Sequence, residues 1–281
     1  KVYINLIDTA INLQNIIEQN YKGQSLHKFN LVKTKYQSPS EYNAKINELR
    51  TIIKVLNTDY LILQERNLSN LPNYIEELNA LATRRRTASG QDPLNLEYYT
   101  AQTLIALDDA RQIMPNYSVA DDNMPTFTAS GDKPDIECYY DDFNMISEVT
   151  LLRGRNQWYA EGQPVMRHLR DFEDKNLDKE NYCLFIAPII HRDTLNTFWM
   201  GIKLGYEGKK QKIIPLTISQ YITVLQKVIE LNNKYNIRIK QKNIKDLIDD
   251  LYNSSEIFTD STEWIRTFDD IIENWSMKLV S

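Results

Sequence analysis

The sequence is short of the residues that bind structural metals or form disulfides. Its 281 residues include two cysteines, Cys138 and Cys183, and three histidines. Two cysteines cannot make a disulfide framework, and no Cys/His cluster has the spacing of a zinc site. We therefore expect a fold that depends on neither, in the reducing environment of a bacterial-type cytoplasm.

Long apolar segments and the motifs of several enzyme classes are also missing. No apolar run approaches the roughly 20 residues of a membrane-spanning helix, and no signal peptide is recognisable. The GxSxG motif of serine hydrolases does not occur. The stretch GYEGKK, residues 205–210, lacks the Ser or Thr that follows lysine in a phosphate-binding loop. The sequence therefore does not favour a membrane protein, a serine hydrolase or a P-loop nucleotide hydrolase.

Positive charge is not in excess. The formal net charge is −5, and 42% of the residues are hydrophobic, which is enough for a folded core. This balance argues against a protein that is basic over its whole surface. It is compatible with a local basic groove, because charges near a phosphate backbone act on it more strongly than the net charge of the whole protein.

The first part of the chain has helical periodicity. Apolar residues recur at helical spacing through residues 1–86, and a third helix is predicted to begin at Pro72. It ends in the basic triplet Arg84–Arg86, which is either solvated at a helix end or in contact with phosphate, and a polar linker follows. We therefore predict a helical linker or positioning domain over residues 1–90 and a second domain over 91–281.

The second domain alternates strands and helices. Asp92 and Pro93 are predicted to begin a helix that ends at Met114-Pro115. Strands are predicted at 134–140, 145–152, 182–190 and 212–217, and helices at 157–178, 194–204, 219–236, 241–252 and 262–275. This order predicts an α/β fold with a mixed β-sheet flanked by helices, beside an N-terminal all-helical domain.

Two acids are predicted to meet on neighbouring strands. The segment DDFN between strands 134–140 and 145–152 has the composition of a turn. If the strands pair as a hairpin, Asp135 and Glu148 converge at the same end of the sheet. Two close carboxylates are costly unless a cation lies between them, and oxygen ligands select Mg²⁺ or Mn²⁺. The alternative is that both acids are only polar residues beside a turn.

A local excess of positive charge follows the second strand. Residues 151–170 contain four arginines and the single acid Glu161. An anionic substrate beside a metal ion needs such surroundings. The residues that we predict to contact DNA are Arg153, Arg155, Gln157 and Arg167. The alternative is an exposed helix face whose arginines are only solvated.

The stretch KPDIECYY, followed by ISEVTLLRGRNQWYAEGQPVMRHL, resembles a known nuclease domain. It is similar to the cleavage domain of the AlwI-type family of type IIS restriction endonucleases and their nicking relatives, in the PD-(D/E)xK superfamily. Pro134-Asp135 matches the PD element, and Glu148-Val149-Thr150 matches the E-x-K element with threonine in place of lysine. The resemblance covers about residues 92–235 and continues through Glu161 and Arg167-His168.

The resemblance implies a Mg²⁺-dependent cut of a DNA phosphodiester, with Mn²⁺ as an alternative ion, in a restriction-endonuclease-like fold. Double-stranded DNA would be the substrate, and no membrane would be involved. A homodimer or a partner nuclease subunit would supply the second active site for a double-strand cut. Target recognition would lie in a segment before Lys1, so we expect the chain to be part of a longer protein.

The resemblance also implies metal ligands and a set of acid–base residues. Asp135 and Glu148 would bind the metal ion together with the backbone carbonyl of Val149. The other implied catalytic residues, which bind an outer metal ion or orient water and the leaving group, are Glu97, Glu161 and His168.

Thr150 departs from the superfamily pattern. The usual lysine supplies positive charge near the attacking water, whereas a threonine hydroxyl has no charge at any pH. The candidates for replacing this charge are His168, Arg153, Arg155 and a second metal ion held with Glu97. We favour His168 together with a metal ion.

Pro164 leaves the geometry of this region open. If it occupies the first turn of a helix, Glu161 lies just ahead of that helix and His168 one turn inside it. If the helix begins earlier, the proline lies in its interior and kinks it.

Two rival functions stay open at this point. A non-catalytic module of nuclease fold would use the same arginines to bind DNA or a partner subunit, and the missing lysine supports it. A DNA repair or recombination nuclease with the same core is the other alternative.

Overall fold

A computed structural model gives the fold of the chain. The residues described are 2–20, 27–83, 91–107, 109–120 and 124–281. The triplet Arg84–Arg86 and most of the polar linker after it lie outside these residues. The chain divides into two compact units, Lys1–Asn67 and Leu68–Ser281. Within the described residues, no helix is long and apolar enough to cross a membrane.

Two long helices, α1 (Val2–Asn20) and α2 (Pro39–Glu65), build the first unit. Ser38 and Glu41 form a capping box at the start of α2. The Glu41 N–H donates to the Ser38 hydroxyl, and the Ser38 N–H donates to the Glu41 carboxylate. The two helices share one apolar core, whose members at helical spacing include Tyr3, Ile7, Leu49, Ile52 and Leu56. The helical character predicted for this part of the chain is therefore present.

The second unit opens with α3 (Leu71–Thr83) and α4 (Asp92–Leu107). Pro72 lies in the first turn of α3, where proline is tolerated because that N–H has no helical acceptor. Helix α3 packs on α4 and belongs to the second unit. The division between the units thus follows Asn67, whereas the sequence places a boundary near residue 90.

A five-stranded mixed sheet forms the centre of the second unit. In spatial order its strands are β1 (Gln112–Pro115), β4 (Ile136–Tyr139), β5 (Phe143–Val149), β6 (Glu180–Ala187) and β7 (Ile213–Thr217). Strands β1, β4 and β5 are antiparallel, whereas β5, β6 and β7 run parallel. Two short strands, β2 (Ser118–Val119) and β3 (Pro125–Phe127), pair with each other outside this sheet. The predicted mixed sheet is confirmed.

Helices cover both faces of this sheet. They include α5 (Arg155–Lys175), α6 (Arg192–Lys203), α7 (Ile218–Tyr235), α8 (Gln241–Asn253), α9 (Ser261–Arg266) and α10 (Phe268–Val280). Ile146 points into a core formed with α5 and α6, and Met145 points into a larger core that includes residues of α3, α4, α7 and α8. Successive residues of a strand face opposite sides, so β5 is buried on both. The predicted α/β class is confirmed.

The end of α4 differs from the sequence prediction. The predicted helix runs on to Met114-Pro115, but α4 ends at Leu107 and Gln112–Pro115 forms the edge strand β1. The sequence continues after Leu107 with Asp108-Asp109, and acids at a helix C-terminus oppose the helix dipole. Pro115 has no N–H for a sheet ladder, which is acceptable at the end of an edge strand.

Two other boundaries differ from the prediction. Phe143 and Asn144, which the sequence assigns to a turn, begin β5. The Tyr140 N–H donates to the Phe143 carbonyl, and the two rings stack with centroids 4.2 Å apart. Burial of this aromatic pair outweighs the turn propensity of its neighbours. The helix predicted over 262–275 is two helices, which divide at Thr267.

Candidate active site

An acidic cleft lies at the carboxyl end of β5. Its volume is about 390 Å³, and its walls come from α4, the segment 128–133, the end of β5 and the first half of α5. Four carboxyl groups line it, those of Glu97, Asp135, Glu148 and Glu161. The structure therefore brings together all four acids that the sequence selected, from four separate segments of the chain.

Asp135 and Glu148 are held together by the β4–β5 hairpin. The pairing of Ile136 with Ser147, continued by one residue, sets Asp135 opposite Glu148. The Val149 N–H donates to Asp135 Oδ2 at 2.8 Å. The end of β5 thus orients the acid that precedes β4, and Val149 itself lines the cleft.

His168 lies directly against Glu148. Its Nδ1 is 2.8 Å from Glu148 Oε1, and its Nε2 is 3.3 Å from the Gly131 carbonyl. The ring is thus held between the Glu148 carboxyl group on one side and a backbone carbonyl on the other. His168 is 7% exposed. It therefore orients a predicted metal ligand and is held away from bulk solvent.

The start of α5 decides whether Pro164 lies in the first turn or in the interior of the helix. The helix begins at Arg155, so Pro164 lies in its interior. Before it, Gly154 has a φ of 62°, a conformation that favours glycine and turns the chain from β5 into α5. Glu161 and His168 are two turns apart and both line the cleft. Because proline has no N–H, the Ala160 carbonyl in the cleft wall has no helical donor.

Thr150 stands at the bottom of the same cleft. It is 6% exposed and its N–H donates to the Ile186 carbonyl of β6 at 3.0 Å. Its hydroxyl oxygen accepts from the Leu152 N–H at 3.1 Å. Thr150 therefore lines the same cleft as the four acids, with its side chain held by the backbone that follows it.

The segment 128–133 forms a wall of the cleft that the sequence did not single out. The Ala129 N–H donates to Glu97 Oε2 at 2.9 Å, and the Gly131 carbonyl faces His168. Lys133 also lines the cleft and is exposed. The run TASGDK immediately before Pro134-Asp135 is the signal in the sequence, because a polar, glycine-containing stretch beside a predicted catalytic strand is typical of a site loop.

The four acids share one electrostatic environment. Burial raises the pKa of Glu97 to about 7, and the charge of Glu161 adds to the shift. Burial first, then the neighbouring acids, raises the pKa of Asp135 and Glu148 well above the usual range. Burial also raises the pKa of Glu161, against the opposing effects of Thr150 and His168. The cleft is thus a place where negative charge is poorly compensated.

A divalent cation fits this donor set. Hard oxygen ligands and clustered negative charge are what Mg²⁺ or Mn²⁺ requires. Within the described residues, no three His, Cys, Asp or Glu side chains already stand in the geometry of a bound ion. The carboxylates would therefore have to rotate toward a shared ion. Burial and then the neighbouring acids raise the pKa of Asp135, and one backbone N–H opposes them, so added positive charge would be favourable there.

The predicted DNA-contacting residues separate into two groups. Arg153, Arg155 and Arg167 are exposed, with Arg153 donating to the Ala82 carbonyl at 2.8 Å and Arg167 to the Gly131 carbonyl at 3.4 Å. Gln157 is fully buried. Its side-chain amide donates hydrogen bonds to the Leu152 and Ile189 carbonyls and accepts one from the His191 N–H. Its position corrects the expectation of a DNA contact, because its polar atoms tie the start of α5 to neighbouring loops.

A model of the AlwI restriction endonuclease family matches residues 1–224. The chain belongs to the AlwI restriction endonuclease family. Among solved structures it is similar to the small subunit (R.BspD6I2) of the heterodimeric restriction endonuclease R.BspD6I, with a TM-score of 0.56 and 20% identity. That similarity covers 70% of this chain and 97% of the subunit. No curated protein matches the chain.

Proposed function

We propose that this member of the AlwI restriction endonuclease family is a Mg²⁺-dependent endonuclease of the type IIS or nicking kind, which hydrolyses DNA phosphodiesters in the acidic cleft. The convergence of Glu97, Asp135, Glu148 and Glu161 is the observation that carries the proposal. Four acids in a shared cleft lower the stability of the fold, so a role in binding cations and activating water explains their presence.

Asp135 and Glu148 are the residues that would hold the ion, with the Val149 carbonyl as a third ligand and Glu97 as an outer ligand. When bound, the ion would polarise a phosphoryl oxygen and lower the pKa of a bound water. The hairpin hydrogen bond from Val149 to Asp135 fixes one carboxylate, and His168 fixes the other. Such supporting contacts set the orientation and basicity of ligands.

Glu161 would orient the attacking water and accept its proton. The water oxygen forms the new bond to phosphorus, and the bond from phosphorus to the 3′ oxygen breaks with its electron pair on that oxygen. The 3′ oxygen then takes a proton from solvent, which leaves a 5′-phosphate and a 3′-hydroxyl. His168, which contacts Glu148, would act together with the metal ion in place of the absent lysine.

The exposed cations at the rim of the cleft would bind the DNA backbone. Arg167 and Lys133 lie at the edge of the cleft, and Arg155 begins the helix that carries Glu161. Phosphate contacts of this kind position a duplex without reading its sequence. One such cleft cuts one strand, so we propose that a second copy or a partner nuclease subunit cuts the other. The heterodimeric assembly named for the similar small subunit supports this arrangement.

Plasmid cleavage by the parent protein and two matched variants tests the proposal. Asp135→Asn removes a cleft acid with little change of shape, whereas Asp141→Asn changes an exposed turn acid on the same hairpin. We expect the parent and Asp141→Asn to nick or cut supercoiled DNA with Mg²⁺, and Asp135→Asn to be slower by about 10²-fold or more. Equal cleavage by Asp135→Asn and the parent contradicts the proposal. DNA binding without any cleavage in Mg²⁺ or Mn²⁺ would instead support the non-catalytic module.

A further inference from the structure

The loop 128–133 brings a lysine to the cleft from a segment other than β5. The Lys133 N–H donates to the Ser130 carbonyl at 3.0 Å, which closes a turn at the end of this loop. Lys133 lines the cleft together with the four acids, and it lies two residues ahead of the proposed metal ligand Asp135. An amine is therefore present in the cleft, although the lysine position after β5 holds a threonine.

Hydrogen bonds tie this loop to both helices of the cleft wall. The Ala129 N–H donates to Glu97 Oε2 of α4 at 2.9 Å. The Gly131 carbonyl accepts from Arg167 of α5 at 3.4 Å and is 3.3 Å from His168 Nε2. These contacts hold the backbone on either side of Ser130, so the lysine side chain extends from a fixed point beside the acids.

The other cations near the cleft are engaged elsewhere. Arg153 donates to a carbonyl of α3, and Arg155 is not among the residues that line the cleft. Arg167 donates to the loop, and His168 lies against a proposed metal ligand. The Lys133 ammonium group forms no ion pair with any carboxylate of the described residues. Within that part of the chain, its charge is left for a substrate in the cleft.

We propose that the ammonium group of Lys133 contacts the phosphate being cut and supplies, with His168 and the metal ion, the positive charge that the superfamily lysine would give from position 150. This inference rests on the proposed function and assigns Lys133 to the reacting phosphate rather than to a neighbouring one. The ammonium group stabilises the negative charge that develops on the phosphoryl oxygens. It keeps its own proton, so the bonds that form and break are those already given.

Cleavage by three variants tests this role. Lys133→Met removes the charge, Lys133→Arg keeps it, and Lys242→Met removes an exposed charge on α8 as the control. Lys133→Met should lower kcat by about 10- to 100-fold with little change in KM. Lys133→Arg should stay within about tenfold of the parent, and Lys242→Met should cut like it. Unchanged cleavage by Lys133→Met, or a loss that appears only in KM, overturns the inference.

A lysine moved to the superfamily position provides a sharper test. The double variant with Lys133→Met and Thr150→Lys returns an ammonium group to the same cleft, and its kcat should be at least about fivefold above that of Lys133→Met. A folded double variant no more active than Lys133→Met overturns the inference. Thermal unfolding identifies a double variant that fails to fold, and the Met and Arg variants at position 133 then decide the result.

Calorimetric titration with Mn²⁺ in the absence of DNA tests the placement of the charge without turnover. An ammonium group beside the acids opposes a divalent cation, so Lys133→Met should bind Mn²⁺ about three- to fivefold more tightly than the parent and Lys242→Met at low ionic strength. Equal affinities mean that the ammonium group does not face the acids and overturn the inference. Absence of cleavage by the parent contradicts the proposed function instead, and the titration still tests the placement.

Discussion

The pKa values of acidic residues are shifted in opposite directions at the two ends of the five-stranded sheet. At the carboxyl end of β5, burial raises the pKa of Glu148 and of its three acidic neighbours, and nearby acids add to the shift of Glu97, Asp135 and Glu148. At the start of β6, the Glu180 carboxylate pairs with Lys212 and with Lys245, the latter at 2.9 Å. Hydrogen bonds from these lysines lower the pKa of Glu180 to about 2.

This difference separates an acid that stabilises the fold from acids that do not. A carboxylate whose charge is neutralised by lysines stabilises the native state at neutral pH, as Glu180 does. A carboxylate such as Glu97, with a pKa raised to about 7, destabilises the native state once it ionises. Folding alone would not retain such a group. Strongly shifted acids in a cleft are accordingly candidates for catalysis or ion binding.

The largest effect should come from exchanging an acid for its amide at each end of the sheet. Glu148→Gln should lower Mg²⁺-dependent cleavage by about 10²- to 10³-fold, because the site loses a ligand charge and the partner of His168. Glu180→Gln should cut like the parent. Mg²⁺ should also raise the unfolding temperature of the parent and of Glu180→Gln, and that of Glu148→Gln much less. Equal losses of cleavage in Glu148→Gln and Glu180→Gln would contradict the functional difference between the two ends of the sheet.

The pH dependence of stability should have opposite signs at the two ends. As pH rises from about 4.5 to 7, the unfolded chain releases the Glu97 proton before the folded chain does, so stability falls through this window. Glu97→Gln should therefore unfold a few degrees higher than the parent at about pH 8 and show little difference at about pH 4.5. Thermal scans across this range check the sign. A Glu97→Gln protein less stable than the parent at about pH 8 would contradict it.

Cleavage by the parent should rise as pH passes about 7, where Glu97 ionises. More Mg²⁺ should move the midpoint of this profile to lower pH, because a bound cation favours the carboxylate form. If the midpoint of the pH profile does not change with the Mg²⁺ concentration, Glu97 is not part of the ion site.

The smallest effect should come from the stability of Glu180→Gln. The lowered pKa of Glu180 contributes stability that is complete above its usual 4.5 and is lost as pH falls toward 2. Because the Glu180 side chain is half exposed, solvent screening limits the loss at neutral pH to at most about 1 kcal/mol. Denaturant titration near neutral pH and at about pH 3.5 should show the difference shrinking in acid. A difference that grows in acid would show that the lysines do not lower this pKa.

Local patterns were enough to predict most elements of the second unit. The apolar run that became β6 and the helical stretch that became α5 lie within a few residues of their predicted limits. The end of α4 was missed because the segment Gln112–Pro115 becomes a strand only by pairing with β4. Pairing with a distant segment leaves no periodic signal in four residues.

The candidate site also has features that the sequence predicted and features that only the structure shows. Strand alternation predicted that Asp135 and Glu148 approach, and the cross-strand contact through Val149 shows that they do. The burial of Gln157 could not be predicted, because a glutamine in an arginine-rich stretch gives no indication of whether it faces solvent or the interior. The sequence also could not predict the contacts of Ala129 and Gly131 in the cleft, because backbone atoms make these contacts.

The sequence by itself determined the alternating strands and helices, the hairpin with its two acids, and membership of a nuclease family, because these depend on local periodicity and motif spacing. Only the tertiary structure decided that Glu97 from α4 and Glu161 from α5 join that hairpin in one cleft, and that Thr150 lines the same cleft. Burial and mutual repulsion shift the pKa of a carboxyl group only when separate segments of the chain bring the charges together.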